Sequence, residues 1–315
     1  MTLVGDLPAQ DCRQATELQR IRSMSNESER VMRCSDKAAL DQWYPLGTEK
    51  EIAFGRTNTR LLGTALTIDR AVDGALVVMA DDSDQPLPII NRFGLVWTTL
   101  GEPAGGLFAL PEADEEDRRV VNCGSVMVRS SGLRIVENFL DMAHFPFVHT
   151  DILGAEPHTE VMHYNAEIRR DVDEVWATNC QFFQPQAALS ATDGIMTDYI
   201  YRVMTPFTTL LYKTCPNSAN RWDVICLFVQ PLDPNRCIAH PVMFLIDDVS
   251  TTTELVHFQQ LIFLQDRIIL ENQRPLLLPM EPRAEIPTRA DASSIAYRRW
   301  LKEKGITYGT TAMAA

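Results

Sequence analysis

Glu137-Asn-Phe-Leu-Asp-Met-Ala-His-Phe-Pro-Phe-Val-His149 is the stretch from which the fold and the chemistry can be read together. Val136, Phe139, Leu140 and Ala143 recur at the i, i+3, i+4, i+7 spacing of an amphipathic helix. On that helix Asp141 and His144 share a face, with Glu137 one turn earlier on the same side. Pro146 disfavours helix at Phe145, which predicts a break just after His144. Two histidines five apart on an unbroken helix would point in different directions. A break lets His149 swing back beside His144, so that both imidazoles can meet one ion. The plainer alternative is a helix end with two solvated histidines.

A third donor comes from far downstream. The run from Leu255 to about Gln273 is helical by length and period, with Pro275 marking its end. Its apolar stripe is Leu255, Phe258, Ile262 and Ile269, and Asp266 falls on that stripe. A lone buried carboxylate costs several kcal/mol, so it must be protonated, paired or metal-bound. Arg267 and Arg274 flank it and offer the ion-pair alternative. Two histidines and a carboxylate, with coordination positions left open, form the facial triad of ferrous oxygenases.

Outward from these segments, residues 1–40 are polar and read as an N-terminal helix or arm. Residues 41–105 hold short β-type runs around Leu61, Ala65–Ile68, Ala75–Met79 and Gly94–Leu100, a small antiparallel unit. Gly101–Gly106 and the acidic loop Glu112–Asp117 have linker composition and place a boundary near residue 105. Residues 106–315 then alternate helix and strand patterns. Strand-like runs at Val175–Phe183, Tyr199–Met204, Thr208–Tyr212, Trp222–Val229 and Cys237–Ile246 predict a curved antiparallel sheet with helices on one face. The fold class is α+β.

Composition narrows the partners. With 45% hydrophobic and 23% charged residues, the 315-residue chain reads as globular. No charged leader precedes an apolar run, and no stretch approaches ~18 apolar residues, so neither a signal peptide nor a membrane span is expected and the cytoplasm is the default. A net charge of -13 repels phosphate backbones and excludes nucleic acid. Arg298, Arg299, Lys302 and Lys304 read as a solvated helix face. The seven cysteines are scattered without a Cys-x-x-Cys pair, which argues against disulfides and a zinc knuckle.

These segments together resemble the α subunits of Rieske-type non-haem iron oxygenases. Asn138-x-x-Asp141-x-x-His144-x4-His149 matches the family's iron motif, and Asp266-Arg-Ile-Ile-Leu-Glu271 matches its carboxylate segment. Trp43-Tyr-Pro-Leu-Gly47, Arg60–Ile68 and Arg92–Pro103 match further, so the resemblance runs from about residue 42 to 305. It implies a helix-grip catalytic domain, Fe(II) on His144, His149 and Asp266, and Asp141 as the bridge to an electron-donating cluster. Asn138 is then expected near the iron but not bound to it, with a plain hydrogen-bonding role in the helix as the equal alternative, and Phe147, Val148 and the inward sheet residues are expected to wall the pocket. The family's Cys-x-His and Cys-x2-His cluster ligands should lie before Arg92, where only Ala80–Gln85 stands. Residues 41–105 are therefore expected to be a truncated β remnant of the Rieske domain without a cluster. Cys237-Ile-Ala-His240 has one of the spacings, but lies in a catalytic-domain strand without a partner motif.

The cluster-lacking members of the family imply O2-dependent hydroxylation of an N-methyl group on a methylated purine, 7-methylxanthine to xanthine and formaldehyde. Electrons would come from a Rieske-bearing reductase or oxygenase subunit, and the assembly would be oligomeric, trimer-like or mixed. The rival reading is a non-catalytic structural or assembly subunit of such a complex.

Overall fold

Five long strand-like runs, two alternating in burial and three buried almost throughout, build one eight-stranded antiparallel sheet. In a computed structural model that describes residues 32–190, 193–218 and 220–314, its strands are β7 (Arg119–Asn122), β8 (Val126–Val128), β9 (Asn165–Arg169), β10 (Glu174–Gln184), β11 (Ile195–Thr205), β12 (Thr208–Thr214), β13 (Trp222–Asp233) and β14 (Arg236–Leu245). Their order is β7-β14-β13-β12-β11-β10-β9, with β8 also paired to β14. Directly opposed residues share a face, so Tyr201, Leu211, Ile225 and Met243 form one row across four strands, and Tyr199, Lys213 and Asp223 form the next.

The opposite face buries Leu210, Phe228, Val242 and Phe244 against Phe93, Leu95 and Trp97. These three belong to the 41–105 region, which forms two three-stranded sheets. One contains β1 (Tyr44–Gly47), β5 (Ile89–Arg92) and β6 (Leu95–Thr98), and the other β2 (Gly55–Leu61), β3 (Thr64–Arg70) and β4 (Leu76–Ala80). The Trp97 and Phe228 rings meet edge to face at 4.9 Å. Arg33–Ala315 clusters as one compact unit. Residues 1–31 of the expected arm lie outside the described residues; its last residues form the one-turn helix α1 (Lys37–Leu40).

Four further helices complete the unit: α2 (Gly132–Phe139), α3 (Phe145–Val148), α4 (Thr252–Asn272) and α5 (Ala292–Glu303). Helix α2 is capped by Ser131, whose hydroxyl accepts from the Leu133 N–H. Gly132 is required at its start, since a Cβ there would lie 2.9 Å from Val229 and 3.0 Å from Phe207. Helix α4 opens on a Thr251/Glu254 capping box. Among the described residues no helix is long and apolar enough to cross a membrane.

Two expectations need correction. Helix α2 ends at Phe139, five residues before the expected stop at His144, because the Asp141 carboxylate accepts from the Ala143 N–H at 2.7 Å and offers the backbone a turn instead. Pro146 sits in the first turn of α3, where its missing N–H costs nothing. The α5 basic cluster is not all solvated either. Arg298 turns inward to Glu137 and Glu285, and Arg134, 1% exposed, joins the same two carboxylates in a four-membered ion network. Arg299 remains on the surface beside Glu303.

Candidate metal centre

The early end of α2 and the short α3 do together what the Pro146 break alone was expected to do. His144 precedes α3 and His149 follows it, so one turn of helix folds the two rings face to edge with centroids 5.0 Å apart. Gly154 makes this turn possible by packing on it, since a Cβ at that position would stand 2.7 Å from the Pro146 nitrogen. Asp266 arrives from the middle of α4.

The three donor atoms form a near-equilateral triangle. His149 Nε2 is 3.0 Å from Asp266 Oδ1, His144 Nε2 is 3.3 Å from the same oxygen, and the two Nε2 atoms are 3.2 Å apart. Neighbouring ligands at right angles around an ion with bonds of about 2.1 Å would be separated by about 3.0 Å. Among the described residues, this is the one group of three or more His, Cys, Asp or Glu side chains whose donors could hold a metal ion.

The hydrogen bonds behind the rings fix what those atoms offer. His144 Nδ1 donates to Asp141 Oδ2 at 3.0 Å, and His149 Nδ1 donates to Gln265 Oε1 at 2.8 Å. With both Nδ1 atoms carrying hydrogen, both Nε2 atoms can present lone pairs toward the carboxylate, and three acceptors converging in this way require a cation. In the metal-free protein a proton can take that role. Burial alone would depress the His144 imidazolium, but hydrogen bonds to Asp141 and Asp266 outweigh it and push the group up to about 9. Asp266 is held below its ordinary value because the bonds to His144 and His149 outweigh its burial.

Neither flanking arginine supplies the cation. Arg267 pairs with Glu271 at 3.0 Å, and Arg274 donates to the main-chain oxygens of Glu271 and Gln273. Asn138 donates to Asp266 Oδ1 at 3.2 Å, while its own amide oxygen is buried without a partner. Gln265 was missed in the sequence. Its only sequence signal is adjacency to the stripe carboxylate, and a glutamine on a helix is too common to carry weight alone.

Phe147 does not wall a pocket: it faces solvent, 68% exposed, because α3 turns it away from the triad. Val148 lines a cavity on the Asp141 side, which includes Arg134, Glu137, Met280 and Ile286. A second cavity lies on the sheet side of the triad, with Phe139, Phe145, Tyr201, Leu211, Ile225 and Phe263 among its walls. It leaves about 110 Å³ of room, where a single water needs roughly 10–15 Å³. Asn138, His144 and Asp266 touch both cavities. Cys237 and His240, three apart on β14, go separate ways: the thiol approaches the main-chain oxygens of Val128 and Ser130, and the imidazole bonds Ser125.

Residues 128–305 match the vanillate O-demethylase oxygenase C-terminal domain. The chain is 49% identical over 281 residues to the probable methylxanthine N7-demethylase NdmC of Pseudomonas sp. (strain TJI-51), an alignment covering 89% of this chain and 99% of that protein. The chain belongs to this family of Rieske-type non-haem iron oxygenases. The methylxanthine N1-demethylase NdmA of Pseudomonas putida is 25% identical over 223 residues, 68% of this chain and 59% of NdmA. The structure of Pseudomonas putida CBB5 NdmA with caffeine superposes with a TM-score of 0.69 at 18% identity, covering 85% of this chain and 92% of that one, and shares the fold. Dicamba monooxygenase bound to dicamba superposes at 0.61 with 14% identity, over 85% and 98% of the two chains. The α+β helix-grip reading therefore holds for this oxygenase.

Proposed function

We propose that the chain is the catalytic subunit of an N-demethylase that hydroxylates the N7-methyl group of a methylxanthine, 7-methylxanthine being the simplest case. The single observation that carries this reading is the convergence of His144, His149 and Asp266 in a chain nearly half identical to NdmC over that protein's full length. In this reading the three side chains hold Fe(II), which supplies activation of O2 for insertion of one oxygen into a C–H bond. The sheet-side cavity holds the flat substrate between apolar walls. Hydroxylation gives a carbinolamine that breaks its C–N bond to leave formaldehyde and xanthine.

Asp141 orients His144 and receives the electron path from a Rieske centre on a partner protein, and the cavity on its side is where that path would enter. Asn138 holds Asp266, leaving its amide oxygen to accept from a group in the site. Residues 41–105 are the remnant of a cluster domain, kept for packing on the large sheet. A purely structural subunit would gain nothing from three converging acceptors, so the catalytic reading is preferred. The test is direct. Purified protein should hold about one iron per chain and no acid-labile sulfide, and with a Rieske-bearing reductase and 7-methylxanthine it should release formaldehyde. An iron-loaded preparation that forms no formaldehyde from any methylxanthine would exclude this assignment.

A further inference from the structure

The sheet-side cavity is mostly apolar, and one cross-strand row brings charged groups to its sheet wall. Tyr199 on β11, Lys213 on β12 and Asp223 on β13 stand opposite one another, and all three line the cavity. Lys213 is 7% exposed and Asp223 4%. The Lys213 ammonium donates to the main-chain oxygen of Ala187 and, at 3.4 Å, to Gln184 Oε1. Among the described residues no carboxylate stands within ion-pair distance of it; the Asp223 carboxylate accepts instead from the Ile246 N–H at 3.1 Å.

An ammonium has three N–H donors, so one is left over, and a buried cation whose facing carboxylate, Asp223, lies beyond ion-pair distance is costly to keep. A second observation points the same way. Tyr201, in the next row and 1% exposed, lines the same cavity with a hydroxyl that has no hydrogen-bond partner. Around these groups lie Leu211, Ile225, Leu227 and Met243, which offer a flat ligand contact but no direction.

Resting on the methylxanthine reading above, we propose that Lys213 orients the substrate: its remaining N–H donates to an exocyclic carbonyl oxygen of the dioxopurine, and the Tyr201 hydroxyl takes a second polar edge atom. This grip decides which N-methyl group faces the triad. Lys213 is thereby a specificity-determining residue on the wall formed by the sheet. Burial lowers its ammonium to about 8, with Asp223 across the row and Cys215 just past the end of β12 acting against the drop; Tyr199 from β11 and Asp247 also face this cavity. The grip should therefore weaken as pH rises through that value.

The experiment compares the full-length wild type with Lys213→Met, which keeps an unbranched side chain one atom shorter and removes the charge. Binding of 7-methylxanthine is measured by equilibrium dialysis from pH 6.5 to 9.5, and a dimethylated xanthine is used to follow which methyl is lost. The variant should keep its iron and bind roughly 10–100-fold more weakly at pH 7, the size of one charge-assisted hydrogen bond. The gap should close above pH 8, and the variant should lose preference among methyl positions. A trimethylated xanthine, which has no ring N–H to lose, is run in parallel so that ionisation of the ligand does not enter the pH profile. A folded variant with affinity within twofold of wild type at every pH, and unchanged regiochemistry, overturns the role of Lys213 while leaving the demethylase reading intact. A wild type that binds no methylxanthine overturns both. Should Lys213→Met fail to fold, Lys213→Gln and Tyr201→Phe carry the same comparison.

Discussion

Gln265→Leu isolates the one contact at the centre that the sequence did not announce. His149 is 1% exposed and its Nδ1–H has a single acceptor, Gln265 Oε1 at 2.8 Å. Leucine removes that acceptor with little change in volume. The ring can then keep its proton on Nδ1 and leave a buried donor unsatisfied, at a cost of about 1–3 kcal/mol. Alternatively it moves the proton to Nε2 and loses the lone pair aimed at Asp266. Metal binding must pay for either arrangement, so affinity should fall by roughly 10–100-fold, about 1.4–2.7 kcal/mol. The assay is competition of Fe(II) or Co(II) against a chromophoric chelator under anaerobic conditions, with thermal unfolding of the metal-free protein as control. Wild-type affinity in a folded Gln265→Leu would mean that His149 is not held in the Nδ1–H form, and the argument for three converging acceptors would fail.

Four further outcomes are expected. Asp141→Asn keeps one acceptor oxygen, enough for the His144 Nδ1–H but not for Ala143 as well, so iron content should stay near one per chain while turnover with the reductase falls roughly 10–100-fold; unchanged turnover would remove Asp141 from the electron path. Gly154→Ala should lower metal affinity at least tenfold without touching a ligand, since its Cβ would push on the Pro146 backbone and displace His149, and chelator competition reads this directly. Metal binding at pH 7 should release about one proton per site, because the metal-free His144 stays charged to about pH 9 and a ligated imidazole is neutral; the dependence of calorimetric enthalpy on buffer ionisation measures it. His240 is buried, with Glu51 as its facing charge, and is pushed down to about 4, so the fold keeps it neutral while the unfolded chain takes a proton near 6.5. Stability should therefore drop as pH falls from 6.5 to about 4, by up to about 3 kcal/mol, and His240→Asn should flatten that slope in denaturant titrations at successive pH values.

Much of the fold was legible because the strands of the large sheet are β-type apolar runs separated by turn residues. The five strand-like runs reappear as β10 to β14: β10 and β11 extend at both ends, β12 and β13 at the far end only, and β14 begins and ends one residue earlier. The long helix was equally clear, since its stripe and Pro275 bound it. What stayed hidden depends on contacts between distant segments. The end of α2 is set by the Asp141 side chain bonding two residues ahead, a local choice that hydrophobic period cannot register. Phe147 looked like a pocket wall because it lies between two metal-binding candidates, yet a four-residue helix faces its side chains in every direction. Arg298 looked solvated because its partners, Glu137 and Glu285, are 161 and 13 residues away. Lys213 gave no signal at all: a lysine in an alternating strand reads as an outward residue until the register is known.

The triad draws its residues from segments 117 positions apart, and tenths of an ångström matter at a metal, so something besides the metal must register α4 against α2. The structure supplies these ties at the entrance to α2 and just beyond the end of α4. The Ser131 N–H donates to the Leu276 oxygen at 3.1 Å, Arg134 donates to the Pro275 oxygen at 3.2 Å, and the Arg129 N–H donates to Glu271 at 3.1 Å. In the middle of α4, Gln260 donates to the Cys123 oxygen at 2.8 Å. Asn138 then bonds Asp266 directly. These contacts need no ion, which is why the donors can already stand at ligand-like separations. Assembling the site on the metal would cost ordering entropy at the moment of binding; a site preset by its neighbours has met that cost in folding, and the ion's full affinity remains available for holding it.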